Sequence, residues 1–148
     1  MAQGTLATKP SLSLDRTLRA APARVWQAWT QAEALKQWFA PSDAFKVEVA
    51  EVDVRVGGRY RIKMTAPDGE VHDVSGVYRE VVPNERLVFT WAWRTTPERE
   101  SLVTVMLRPA GTGTALTLRH EQLFDEGARD HHREGWIALL GRLEASFV

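Results

Sequence analysis

Ala21-Pro22-Ala23-Arg24-Val25-Trp26-Gln27-Ala28-Trp29-Thr30 is the stretch on which the reading of this chain turns. Pro22 stands where a helix can start, because the first helical N–H has no partner and nothing is lost with it. Val25, Ala28 and Trp29 then share one helical face, with Trp26 to one side. Upstream, Leu12, Leu14 and Leu18 alternate with Ser11, Ser13 and Thr17, the period of a half-buried strand. Downstream, residues 32–39 read as a second short helix that Pro41 ends. The spacing predicts a strand that runs straight into a two-helix elbow.

Beyond the elbow the period is two. Phe45, Val47 and Val49 alternate with Lys46, Glu48 and Ala50, and Gly57-Gly58 breaks the pattern. Tyr60, Ile62 and Met64 alternate with Arg59, Arg61 and Lys63, the cleanest one-face-buried strand of the chain. Pro67-Asp68-Gly69 is a hairpin turn, since Pro presets φ and Gly takes the left-handed position. A strand over 71–82 follows, then a turn at Pro83-Asn84-Glu85. Leu87, Phe89, Trp91 and Trp93 share a face of the next strand, and residues 95–100 form a polar loop. Val103, Val105 and Leu107 continue the sheet; Gly111-Thr112-Gly113 turns it; Leu116, Leu118 and His120 face inward on the last strand.

From about Asp125 the period becomes helical. Trp136, Leu139, Leu140, Leu143 and Phe147 fall on one face of a helix predicted over about 128–147. One strand, two short helices, six strands and a long helix give an α+β layout with an antiparallel sheet of about seven strands. A single helix covers only part of so large a sheet. The concave remainder is filled by side chains or left as a cavity, which suits binding of something apolar.

A length of 148 residues fits one domain, expected over 11–148 behind a loosely ordered tail at 1–10. Lys+Arg and Asp+Glu balance at 19 each, which argues against a surface that tracks phosphates, so no nucleic-acid partner is expected. With no cysteine, disulfides, thiolate nucleophiles and Cys-rich zinc sites are excluded. The first ten residues lack the apolar run of a signal peptide, and no segment reaches the roughly 18 apolar residues of a membrane span. A cytoplasmic location with no membrane partner is the expectation.

The motifs carry a resemblance. Ala21-Pro22 with Val25-Trp26 and Ala28-Trp29-Thr30, Trp38 with Pro41, Val54-Arg55-Val56-Gly57-Gly58, Gly76-Val77-Tyr78-Arg79-Glu80, Arg86-Leu87-Val88-Phe89-Thr90-Trp91, Leu102-Val103-Thr104-Val105, Gly113-Thr114, His120-Glu121 and Gly135-Trp136 span nearly the whole chain. In order and spacing the sequence resembles the START-like, or SRPBCC, superfamily. Within it, the chain is similar to bacterial homologues of the C-terminal domain of the heat-shock-protein-90 ATPase activator. The resemblance implies a helix-grip fold, a strongly curved antiparallel sheet wrapped around the C-terminal helix with a cavity between. It also implies a range of functions: hydrophobic-ligand binders, aromatase/cyclase enzymes and co-chaperones. The eukaryotic activator carries a separate N-terminal domain that this sequence lacks, which argues against a chaperone partner.

The leading expectation is a binder of a small hydrophobic or aromatic molecule, without cofactor. Its cavity would be lined by Tyr60, Met64, Val74, Tyr78, Phe89, Trp91, Val105, His120, Trp136 and Leu140, whose bulk and polar handles suit orienting a ligand. The enzyme alternative is a cyclase or hydrolase on an aromatic polyketide-like substrate. His120 would then move the proton and Tyr60 or Tyr78 would orient the substrate. The plainer reading of His120 is a core-edge histidine with a structural hydrogen bond. His72 follows a hairpin and reads as exposed. His131 and His132 point about 100° apart on a helix and cannot easily share a metal, so no metal site is expected. Asp125, Glu126, Asp130 and Glu134 read as complements to a helix dipole. Arg59, Arg61 and Lys63 read as a solvated outer face. Open sheet edges, or the helix at 22–31 with Trp26 as an anchor, would support a homodimer.

Overall fold

In the computed structural model, which describes residues 9–147, the first strand period gives β1 (Leu12–Leu18), with Leu12 and Leu18 buried. Two short helices follow, α1 (Pro22–Thr30) and α2 (Ala32–Trp38). α1 starts on Pro22 and buries Val25, Ala28 and Trp29, the face read from the sequence. α2 buries Leu35 and Trp38. The Trp38 indole N–H donates to the Ala28 carbonyl at 2.9 Å, and Trp29 packs edge-on against it with ring centroids 4.8 Å apart. Most of the tail expected at 1–10 lies outside the described residues. Where it enters them, the Pro10 carbonyl accepts from the Leu123 N–H at 3.0 Å.

Six further strands follow: β2 (Lys46–Val52), β3 (Arg59–Thr65), β4 (Val71–Val82), β5 (Arg86–Trp93), β6 (Ser101–Ala110) and β7 (Gly113–Glu121). All neighbours pair antiparallel, in the order β1-β7-β6-β5-β4-β3-β2. β1 and β2 are therefore the two edges of one sheet. The chain between them must cross from edge to edge, and this lays α1 and α2 over the concave face.

Two register shifts bend the sheet, one at Val47/Val49 against β3 and one at Tyr78/Glu80 against β5. An extra residue in one strand raises the local twist and turns the strand. The first shift corrects the reading of β2. Phe45, Val47 and Val49 do not form one continuous inward face; past the bulge Ala50 is the buried residue, followed by half-buried Val52. Gly76 lets β4 and β5 close together, because a Cβ there would stand 1.9 Å from the Thr90 carbonyl oxygen. Gly69, at φ +89°, makes the left-handed turn expected after Pro67-Asp68.

The last element, α3 (Glu126–Ala145), begins on Asp125, whose carboxylate accepts from the Ala128 N–H at 2.8 Å. This makes Asp125 the helix cap as well as a complement to the dipole. α3 buries Trp136, Leu139, Leu140 and Leu143 against the concave sheet. Near its C-terminal end Arg142 reaches back to Asp43 (2.6 Å) and to the Gln37 carbonyl (3.1 Å), tying α3 to α2. The result is the helix-grip arrangement that the sequence implies. Among the described residues no helix is long and apolar enough to cross a membrane.

Candidate functional site

The inward side chains of β3, β4 and β5 meet two different environments along the grip. Where the α1–α2 elbow covers the sheet, Tyr60, Tyr78 and Phe89 pack against one another with centroids 5.3–6.2 Å apart. The Tyr60 hydroxyl donates to the Thr90 carbonyl at 2.6 Å. Burial raises the pKa of Tyr60 far above its ordinary value and raises that of Tyr78 as well. Both phenols therefore stay protonated at any physiological pH. Trp29, Leu35 and Phe39 close over these rings and leave a void of only about 20 Å³.

At the other end, α3 stands away from the sheet. Between them opens a cleft of about 330 Å³ walled by Phe39, Phe45, Met64, Trp91, Trp93, Trp136 and Leu139. Such a volume falls within the roughly 300–1,000 Å³ of small-molecule sites. His72, His131, His132 and Glu134 supply its polar margin. A second chamber of about 750 Å³ adjoins it, bounded by the β5–β6 loop and the start of α3. His72, Trp91, Trp93, His131 and His132 belong to both.

Two indole–imidazole hydrogen bonds connect sheet and helix. The Trp136 N–H donates to His120 Nδ1 at 3.0 Å. An indole is only a donor, so Nδ1 is the bare nitrogen and His120 carries its proton on Nε2. That N–H donates to Ser101 Oγ at 2.7 Å, and Ser101 in turn donates to the Trp91 carbonyl at 3.3 Å. The second pair runs the other way round. The Trp93 N–H donates to His132 Nε2 at 3.0 Å, and His132 Nδ1–H donates to the Ala128 carbonyl at 2.6 Å. Both rings are thus neutral, in opposite tautomers, with centroids 5.1 Å apart. Burial, reinforced by the neighbouring His132, pushes the pKa of His120 well down. Burial also lowers that of His132, against an opposing hydrogen bond to Ala128. All four ring nitrogens are engaged, which leaves this pair none for a metal.

Of the residues expected to line a cavity, Met64, Trp91 and Trp136 stand on the walls of the cleft. Tyr60, Tyr78 and Phe89 surround the small void, to which Trp91 also contributes. Val74, Val105, His120 and Leu140 are core residues that border none of these three spaces. His120 has no exposed surface and no free nitrogen. Its two nitrogens are held by Trp136 and Ser101. His72 is half-buried rather than exposed, with its ring against Phe45 and Trp93. It shares strand parity with Val74, Gly76 and Tyr78, and that parity is the signal that places it inward. His132 precedes Trp136 by one helical turn, so helical spacing puts both on the face toward the sheet. Trp91 and Trp29 each keep a buried indole N–H without an acceptor.

The outer face is less uniform than a solvated stripe. Arg61 grips Asp73 through two hydrogen bonds of 3.1 and 2.8 Å, and Asp73 is only 8% exposed. The guanidinium beside it holds the Asp73 carboxyl below the usual carboxylate range.

Comparison with known proteins agrees with this architecture. A protein of Chromobacterium violaceum superposes with a TM-score of 0.84 at 31% identity, over 93% of this chain and 96% of that one. A protein of Rhizobium leguminosarum gives 0.77 at 30% identity, over 92% of each chain. The AHSA1 protein of Silicibacter pomeroyi gives 0.80 at 29% identity, over 93% and 96%. No curated protein matches the chain. Residues 19–147 match the model of one family, and the chain belongs to it: the Activator of Hsp90 ATPase homolog 1-like proteins, of the START-like superfamily.

Proposed function

We infer that this protein binds a small aromatic or otherwise apolar molecule in the cleft between β5 and α3. The observation that supports this reading is the cleft itself: about 330 Å³ of space walled by three indoles, two phenylalanines, Met64 and Leu139. Apolar surface of this kind gains free energy by leaving water, at about 25 cal/mol per Å² buried. The polar groups at its margin are few, which is how such sites fix orientation.

The test is a panel of lipids, flavonoids and polyketides followed by tryptophan emission and thermal unfolding. A binder quenches Trp91 and Trp93, and at 100 times its dissociation constant adds about 2.7 kcal/mol of stability. Ala138→Phe, which fills part of the cleft wall, abolishes both signals. A panel in which no member quenches or stabilises overturns the reading.

A further inference from the structure

The apolar cleft is only half of the space beside α3, and the other half has different chemistry. The adjoining chamber of about 750 Å³ carries Lys63, Arg94 and Arg99 on its wall. Arg99 is held in place by lying over the Phe124 ring, 3.8 Å from its centroid. Three acids also reach this chamber, Glu70, Asp73 and Asp125. Two of them are already engaged. Asp73 is gripped by Arg61 from outside the chamber and also meets Arg94 at its wall, and Asp125 caps the positive end of α3. Among the described residues Lys63 has no carboxylate within 4 Å, whereas Arg94 and Arg99 each keep one long contact, to Asp73 at 3.7 Å and to Glu98 at 3.9 Å; against them stands Glu70, whose side chain is 66% exposed.

The geometry points to one continuous amphipathic site whose ligand is an aromatic or apolar acid, its body in the cleft and its anionic group in the outer chamber. This rests on the reading of the cleft as a binding site. The two chambers meet at the Trp93–His132 hydrogen bond, since both side chains border both spaces. That bond engages the Trp93 N–H and His132 Nε2 with each other. The crossing therefore offers a ligand flat aromatic surface and few polar demands. A chamber walled by cations next to an apolar one selects charge by long-range attraction and leaves most of the contact area to the cleft.

The test uses two fluorescent probes that differ only in charge, 8-anilino-1-naphthalenesulfonate and N-phenyl-1-naphthylamine. Both share one ring system, and only the first carries an anion. At low ionic strength the sulfonate is expected to bind about three- to fivefold tighter, the scale of one partly exposed ion pair. Added salt reduces that advantage. Lys63→Gln and Arg99→Gln each shrink it and leave the affinity of the neutral probe unchanged, which also reports that the variants are folded. Equal affinity for the two probes, or a preference that survives both substitutions, overturns the anionic half and leaves the apolar site standing. Failure of both probes to bind overturns the apolar site and the anionic half with it.

Discussion

The two ends of the grip are built from the same three strands and yet differ in kind. Near the elbow, Tyr60, Tyr78 and Phe89 are sealed by Trp29, Leu35 and Phe39 over a void of about 20 Å³. Near the start of α3, Met64, Trp91 and Trp93 face a cleft of about 330 Å³. Each end also has a polar device suited to its burial. At the sealed end a tyrosine hydroxyl satisfies a strand carbonyl. Between the ends, His120 bridges Trp136 and Ser101 with no exposed surface, while His132 repeats the motif with Trp93 half-buried at the cleft. A sheet face is therefore not one environment. What lies over it decides where core ends and site begins.

The largest expected effect breaks the buried pair. His120→Ala leaves the Trp136 N–H and the Ser101 hydroxyl without their partner and opens a hole, at about 3–5 kcal/mol. His132→Ala, at the half-buried pair, is expected to cost about 1 kcal/mol. Urea unfolding of the two variants measures the contrast, and equal losses would erase the distinction between the pairs.

The next effect is on pH. Both histidines have folded pKa values depressed below 6.5. Above that pH neither state binds the proton, and their contribution to stability is fully present. As pH falls through 6.5, the unfolded chain takes up protons that the folded chain refuses. Stability then drops, by at most about 1.4 kcal/mol per pH unit for each histidine. Unfolding between pH 6.5 and 5.5 reads the slope, and His120→Ala is expected to reduce it. A flat profile there would mean that the rings titrate as they do in water.

The smallest effect sharpens the comparison at the sealed end. Tyr60→Phe removes the donor to the Thr90 carbonyl and costs about 0.5–1 kcal/mol. Affinity for a ligand in the cleft stays as in the parent protein, whereas Trp93→Ala weakens it. If titration of a bound probe finds the two variants equally impaired, the ends are not separate.

Most of this fold is legible in the sequence because period and punctuation coincide. Pro22, the Val25/Ala28/Trp29 face, the Pro67-Asp68-Gly69 turn and the Trp136 stripe each occur where the structure uses them. The bulge at Val47/Val49 is not legible, since one inserted residue leaves no marker in an alternating run. The site is harder for a physical reason. Alternation assigns Tyr60, Phe89 and Trp91 to the same inward face but says nothing of depth along the strand. Depth is set by Phe39 and Leu35, which arrive from a helix more than twenty residues away from Tyr60 in the chain. His72 and His132 were within reach of parity and of helical spacing. A hairpin beside one and a second histidine beside the other mask those signals.

Five of the six tryptophans form an unbroken file through the molecule. Trp38 lies 4.8 Å from Trp29, Trp29 6.1 Å from Trp136, Trp136 5.2 Å from Trp91, and Trp91 5.3 Å from Trp93. At such separations excitation hops between identical chromophores faster than any one of them emits. Light absorbed at Trp38, deep under the elbow, is shared along the file with Trp93 at the mouth of the cleft. The file is an antenna, and whatever sits beside Trp93 darkens residues that it never touches.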